Sequence, residues 1–408
     1  MQAWEDRKWK IANGNSKIDG RESTCGNRDN GCARCTMRIM KNKCRFAVYV
    51  LFVCATCLCT SAYAQEGTPA DGIHQFAEFG DFKLHDGGVI HEFQLGYRTL
   101  GKLNSDKSNA VLWPTWIGGK SQDLLPFIGP GNVVDSNKYF VVLIDAIGNG
   151  VSSSPSNSKR QPLMKYPKFT IRDMVEAEHR LCTDVLHLSH LHAVLGISMG
   201  GMQVFEWVVT YPDFMDIGIP MSGSPQSTSF DKLNWTAQID AIELDPAWNH
   251  GNPTGPLGRG FVLSEEIGSM NGTSPSYRVA HTSPRDFDVF IAEIRKNAKG
   301  DGGTASDQIR QRQAIIALDI PAEFGLTLEQ AAKRVRAKLL IIVSSQDHVV
   351  NPRPALEFAA AINAPVVNLN SSCGHQSFTC ISLGPTVARF LADPASVHSE
   401  TLQGPGNR

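Results

Sequence analysis

The chain is expected to fold as an α/β protein: a mostly parallel central sheet with helices on both faces and a helical cap inserted late in the sheet. Three observations predict this. From about residue 90, short β-rich runs alternate with stretches of helical period, the signature of βα units. Most of those runs are apolar throughout, as strands covered on both faces must be. The alternation then breaks once, between about residues 225 and 333, where Pro/Gly-rich pieces separate helical runs and no strand-type run intervenes. At 408 residues, 42% hydrophobic and 19% charged, the chain can bury a large core, which excludes disorder, collagen and small disulfide scaffolds.

Residues 1–64 read as a leader rather than as fold. An apolar run at 46–59, interrupted only by Thr56, follows Arg38, Lys41, Lys43 and Arg45 and precedes Ala62-Tyr63-Ala64. That is the pattern of a secretory signal peptide over about 38–64, with cleavage expected before Gln65. The apolar run falls short of the roughly 20 residues a spanning helix needs, so no stable membrane span is expected after cleavage. The polar stretch before Arg38 is longer than an ordinary n-region, which makes Met37 or Met40 a candidate start. The expected location is secreted or periplasmic.

The leader also absorbs seven cysteines, leaving Cys182, Cys373 and Cys380. Cys32-Ala-Arg-Cys35 lacks a second ligand pair, so no metal site is expected. Cys373 and Cys380 are near enough in sequence to pair in an oxidising compartment, but three cysteines leave one over and the pairing stays open. Residues 65–408 hold 28 Lys/Arg against 35 Asp/Glu, a net charge of −7. An acidic remainder argues against a nucleic-acid partner, which needs clustered cations, and points to a small-molecule substrate.

The expected order of elements is a first core segment over 65–224, a cap over 225–333, a second core segment over 334–395 and a tail over 396–408. Strands are predicted at 92–99, 110–114, 139–144, 192–197, 217–221, 339–344 and 365–369. Helices are predicted at 171–188, 199–211, 355–362 and 386–391, with cap helices at 287–296 and 306–318.

The strand at 192–197 runs into Gly196-Ile197-Ser198-Met199-Gly200, and a helix starts at once. A G-x-S-x-G at such a junction is a nucleophile elbow: the glycines permit the tight turn that lifts Ser198 Oγ above the sheet. The backbone N–H of Met199 then points where an oxyanion would form. A serine nucleophile needs a base, and the base needs an orienting carboxylate. Asp347 falls just past the strand at 339–344 and His375 in the loop after 365–369, giving the chain order Ser, Asp, His of the α/β-hydrolase fold. Asp145, after the strand at 139–144, is the reserve acid. The neighbouring His348 sits too close to Asp347 in sequence to be oriented by it. A second oxyanion donor is expected from Trp116 or Ile117, in the loop Thr115-Trp116-Ile117-Gly118-Gly119 after the strand at 110–114. With no phosphate-binding loop or dinucleotide fingerprint, no cofactor is implied.

These residues sit in longer runs that resemble the homoserine O-acetyltransferase family of α/β-hydrolase-fold enzymes. The likeness lies in Thr170-Ile171-Arg172-Asp173-Met174-Val175, in Ser198-Met199-Gly200-Gly201-Met202-Gln203 with Glu206-Trp207 and Tyr211-Pro212, in Gly129-Pro130-Gly131, in Asp245-Pro246-Ala247-Trp248 and in Gly374-His375. It implies an acyl-serine mechanism with Ser198, Asp347 and His375 as triad, Met199 and the loop through Trp116 and Ile117 as oxyanion hole, and a homodimer. The departures fall where that family selects its substrate. Its catalytic histidine is followed by an aspartate that pairs with the substrate amine, whereas Gln376 follows His375 here. The cap positions that hold an arginine and a tyrosine for the substrate carboxylate align with Glu265 and Gly272, with Arg259 nearby as a substitute cation.

Three functions follow as expectations: an exported serine hydrolase acting on a carboxylic ester or related acyl substrate, an acyltransferase of the homoserine type, and a non-catalytic binding protein on the same fold. Loss of the amino-acid clamp and an export signal, which would take the protein away from cytosolic acetyl-CoA, favour the hydrolase.

Overall fold

A computed structural model describes residues 72–404; the leader and the predicted cleavage site lie outside the described residues. Ten strands form one sheet: β1 (His74–Lys83), β2 (Val89–Leu100), β3 (Ala110–Pro114), β4 (Phe140–Ile144), β5 (Leu191–Ile197), β6 (Met215–Met221), β7 (Lys338–Leu339), β8 (Ile341–Ser344), β9 (Val366–Asn370) and β10 (Glu400–Gln403). Their order is β1-β2-β4-β3-β5-β6-β8-β9-β10, with β7 also paired to β6. β1 and β2 pair antiparallel, β2 runs antiparallel to β4, and the other pairings are parallel.

β3 and β4 are buried at every position, which explains their unbroken apolar sequences. One face of the sheet packs Leu112, Val142, Val194 and Ile341 against α1 (Ile171–Arg180) and α2 (Met199–Thr210). The other packs Val111, Leu143, Leu195 and Ile342 with Val387 and Phe390. Successive residues of one strand thus feed opposite cores, as the two-residue period of a strand requires.

α1 begins where Thr170 Oγ1 accepts from the Asp173 N–H and the Asp173 carboxylate accepts from the Thr170 N–H, a closed capping box. The helix predicted at 171–188 ends its α-helical part at Arg180 and widens into a π turn over Leu181–Val185, where Leu186 N–H reaches back to Leu181 O.

Between β6 and β7 the chain leaves the sheet and builds α3 (Ser229–Glu243), α4 (Arg259–Gly272), α5 (Pro275–His281), α6 (Phe287–Asn297) and α7 (Gly302–Ala317). These cap helices carry a small core of their own, with Ile239, Ile242, Trp248, Leu257, Phe261, Ala305 and Ile309. The sequence reading missed two strands, β1 and β10, and, within the cap, α3 to α5 and the short helices Ile320–Glu323 and Leu328–Ala332. The run predicted as one strand at 339–344 is two, interrupted at Leu340.

Candidate active site

β5 ends at Ile197, and Ser198 is the pivot into α2. Its backbone stands at φ 57° and ψ −121°, a left-handed conformation that a residue with a side chain rarely adopts. The turn is held by the Ser198 N–H donating to Met221 O of β6 at 2.8 Å. Two glycines make it sterically feasible. A Cβ on Gly196 would lie 2.4 Å from the Gly200 carbonyl carbon, and one on Gly200 would lie 2.6 Å from Pro114 O, so only hydrogen fits at either place. Met199 opens the helix and its N–H has no acceptor among the described residues, as expected in a first turn.

His375 Nε2 lies 2.9 Å from Ser198 Oγ, and His375 Nδ1 lies 2.7 Å from Asp347 Oδ2. With the proton on Nδ1 donating to the carboxylate, Nε2 is free to accept the serine hydroxyl. Asp347 is itself oriented, because its Oδ1 accepts from the Val349 and Val350 N–H groups at 2.8 and 2.9 Å, leaving Oδ2 for the imidazole. All three side chains are largely buried. His375 follows Gly374, whose φ of 60° sets the turn after β9, and a Cβ on Gly374 would stand 2.9 Å from Ser274 N in the cap. That turn is fixed on both sides. Cys373 and Cys380 are joined by a disulfide, and Ser274 donates from both N–H and Oγ–H to Ser372 O at 3.1 and 2.7 Å. Cys182 is free and buried.

The reserve acid has a different role. Asp145 is fully buried; its carboxylate accepts from Ser121 N–H and Oγ–H at 2.8 and 2.7 Å and from Asn149 Nδ2 at 3.1 Å, and it lies 3.0 Å from His74 Nε2. It ties loops together and does not touch His375. His348 is half-buried and makes no side-chain bond among the described residues.

The loop after β3 is held along its length. Thr115 N–H donates to Ile144 O, and Thr115 Oγ1 accepts from Ala146 N–H, both at 3.0 Å. Gln203 Nε2, from α2, donates to Thr115 O at 3.2 Å. Gly118 N–H donates to Gln311 Oε1 at 2.8 Å, and Gly119 N–H to Trp116 O at 3.0 Å. Trp116 and Ile117 are the two residues of this loop whose N–H groups have no acceptor among the described residues.

One of the two substrate-side residues falls elsewhere. Arg259 is exposed at the start of α4 and pairs with Glu266 at 2.7 Å, a neighbour about two turns along the helix that satisfies its charge. It is therefore corrected from a candidate substrate ligand to a surface ion pair. Gln376 is half-buried beside His375, and its side-chain amide has no partner among the described residues. Glu265 accepts from Gln308 Nε2 at 3.1 Å.

Gln308 also accepts from Arg312 Nη1 at 2.8 Å, and Arg312 reaches Gln238 Oε1 at 3.0 Å. Burial pushes the Arg312 guanidinium down to about 10, partly offset by the field of Glu265. The sequence reading gave no role to Arg312, Gln203 or Gln311. Gln203 lay within the motif run quoted above, but the other two lie in a cap helix whose buried face mixes polar and apolar residues, so no periodic signal marked them.

Comparison with known proteins agrees with this fold. A family model described as alpha/beta hydrolase fold matches residues 117–378. An ethyl acetate hydrolase of Pseudomonas veronii is 34% identical over 359 residues, 85% of this chain and 99% of that protein. A homoserine O-acetyltransferase of Methanohalobium evestigatum is 31% identical over 335 residues, 72% of this chain and 68% of that protein. A Corynebacterium glutamicum protein named "probable esterase" is 38% identical over 183 residues, 44% of this chain, so that this match spans about half (52%) of that relative's length.

Proposed function

Because this chain belongs to the alpha/beta-hydrolase fold family, in the branch that includes the homoserine O-acetyltransferases, we propose that it is an exported serine hydrolase cleaving carboxylic esters of short acyl groups. The observation that carries this reading is the unbroken hydrogen-bonded relay from Ser198 Oγ through His375 to Asp347. In the proposed reaction His375 Nε2 takes the hydroxyl proton as Ser198 Oγ bonds to the ester carbon. Charge then develops on the carbonyl oxygen, and the Met199 N–H with that of Trp116 or Ile117 receives it. The tetrahedral intermediate collapses by breaking the bond to the alcohol, and His375 returns its proton to that oxygen. A water molecule, deprotonated by the same histidine, releases the acid and restores Ser198.

Hydrolysis rather than transfer to homoserine is supported by Gln376, a neutral amide that cannot neutralise a substrate ammonium, and by Arg259 being engaged with Glu266. The ethyl acetate hydrolase among the relatives supports a short acyl group. Acyl transfer to homoserine is the second reading, supported by the acetyltransferase relative.

The test supplies 4-nitrophenyl acetate with and without excess homoserine, with Ser198→Ala as control. Acetate alone, abolished in the variant, is the expected result. O-acetylhomoserine as the main product would establish the second reading, and undiminished turnover in Ser198→Ala would remove both. Export is tested by sequencing the N-terminus of the protein recovered outside the cytoplasm, which is expected to begin at Gln65.

A further inference from the structure

Gln311 lies on α7, in the cap, and its side chain is 1% exposed. Its two ends are spent on two different loops at the C-terminal edge of the sheet. Oε1 accepts from the Gly118 N–H of the loop after β3 at 2.8 Å, and Nε2 donates to Ile147 O of the loop after β4 at 2.9 Å. The contact is tight, since a Cβ on Gly148 would come 3.2 Å from Gln311 Cγ.

Gly118 stands at φ +66° immediately after Trp116 and Ile117, the two residues of the loop whose N–H groups have no acceptor among the described residues. The planar peptide that carries the Gly118 N–H also carries the Ile117 C=O, so holding that N–H fixes this peptide and restrains the rotation at Ile117 on which the direction of its own N–H, one peptide earlier, depends. From the other side Gln203 holds Thr115 O. One glutamine comes from the nucleophile helix and one from the cap.

We propose that Gln311 is a positioning residue for the oxyanion hole: the cap, through this side chain, sets the orientation of the second oxyanion donor. The inference rests on the proposed acyl-serine reaction and deepens it. A preorganised donor contributes only in the transition state, so loosening it lowers kcat and leaves ground-state binding nearly unchanged. A residue that merely stabilised the cap would alter KM or the folded fraction instead.

The experiment compares Gln311→Met, which keeps the length and removes both acceptor and donor, with Gln311→Glu, which keeps an acceptor for Gly118 N–H and sets a carboxyl oxygen in place of the amide donor to Ile147 O. Each is assayed for kcat and KM on 4-nitrophenyl acetate and for Ki of an aryl trifluoromethyl ketone. That ketone adds Ser198 Oγ to its carbonyl carbon and places an oxyanion in the hole. Gln311→Met is expected to lose roughly 10–100-fold in kcat with KM within about threefold, and to weaken the ketone by a matching factor. Gln311→Glu is expected to recover most of both.

A Gln311→Met enzyme with kcat within about twofold of wild type overturns the proposal. So does a loss confined to KM, or a fall in kcat with the ketone unaffected. Should Gln311→Met fail to fold, Gln311→Asn decides, since it withdraws the acceptor by one methylene; wild-type kcat in that variant overturns the proposal. Labelling of Ser198 by a fluorophosphonate separates the two levels. A wild-type protein that neither labels nor turns over ends the acyl-serine reading and this inference with it. One that does both while the Gln311 variants behave as wild type ends this inference alone.

Discussion

Ser198 is held at φ 57° and ψ −121°, and that conformation should be visible as stored free energy. The perturbation is a pair, Ser198→Gly and Ser198→Ala. Both delete Oγ and its 2.9 Å contact with His375 Nε2; beyond that they differ in the backbone strain and in one buried Cβ, which only alanine keeps. An L-residue in a sparsely populated region costs about 1–3 kcal/mol, and glycine relieves it. Glycine in turn gives the unfolded chain more freedom, which costs about 0.4–1 kcal/mol.

The difference predicts that Ser198→Gly is more stable than Ser198→Ala by ~0.5–2 kcal/mol, although both are inactive. Urea unfolding followed by tryptophan fluorescence measures it. At an m-value of about 3 kcal/mol/M the midpoints should separate by roughly 0.2–0.7 M, with equal slopes. An alanine variant as stable as the glycine variant, or more so, would refute the claim that the elbow is strained.

Three further outcomes are expected. Asp347→Asn should lower kcat by on the order of 10³–10⁴-fold, because an amide cannot hold the His375 tautomer, whereas Asp145→Asn should cost stability first; equal effects on kcat would reject the assignment of the acid. Replacing Cys373 and Cys380 by serine opens a loop of seven-residue separation, which chain entropy values at about 2.5 kcal/mol; unfolding midpoints under non-reducing conditions check it, and unchanged midpoints contradict it.

The third concerns pH. Burial pushes the Glu178 carboxyl from 4.5 up to about 8, against a hydrogen bond from Trp207 Nε1 that lowers it. Between those values the folded protein keeps a proton that the unfolded chain releases, so stability falls as pH rises through this window. Glu178→Gln should therefore gain on wild type from pH 5.5 to 8.5 in unfolding midpoint, and parallel pH curves would contradict the mechanism. Glu206, pushed up to about 8 as well, leaves a residual slope in the same direction.

Ser198, Asp347 and His375 were legible because Ser198 follows directly on an apolar strand, Asp347 and His375 lie in the short loops just past β8 and β9, and the three occur in a fixed chain order. The seven predicted strand segments are found in the sheet for the same reason. β1 was missed because it is an edge strand with two buried residues, and β10 because four residues with none buried leave no alternation to read. Within the cap, periodicity located α6 and α7 but failed for the helices before them. α3 buries Asp231, Asn234 and Gln238 alongside Trp235, Ile239 and Ile242, while Phe230 and Leu233 face solvent, which blurs the pattern used to find amphipathic helices. Arg259 lies near the aligned cap positions in sequence, but the acid seven residues on engages it. Gln311 is connected to Gly118 across 193 positions, a link that no local pattern encodes.

The excursion from β6 to β7 has a topological consequence. It departs from and returns to paired neighbours, with Gly218 beside Leu339 and Met221 beside Ile342, so its two ends are already clasped by the sheet. The entropy of closing such an excursion grows only logarithmically with its length. A lineage can therefore lengthen, shorten or rewrite this segment and explore new substrates without re-registering a single strand of the scaffold. The constraint on that freedom is local: whatever replaces the excursion must still offer an acceptor to Gly118 and a donor to Ile147, so chimeras grafted at these two ends should sort by whether they do.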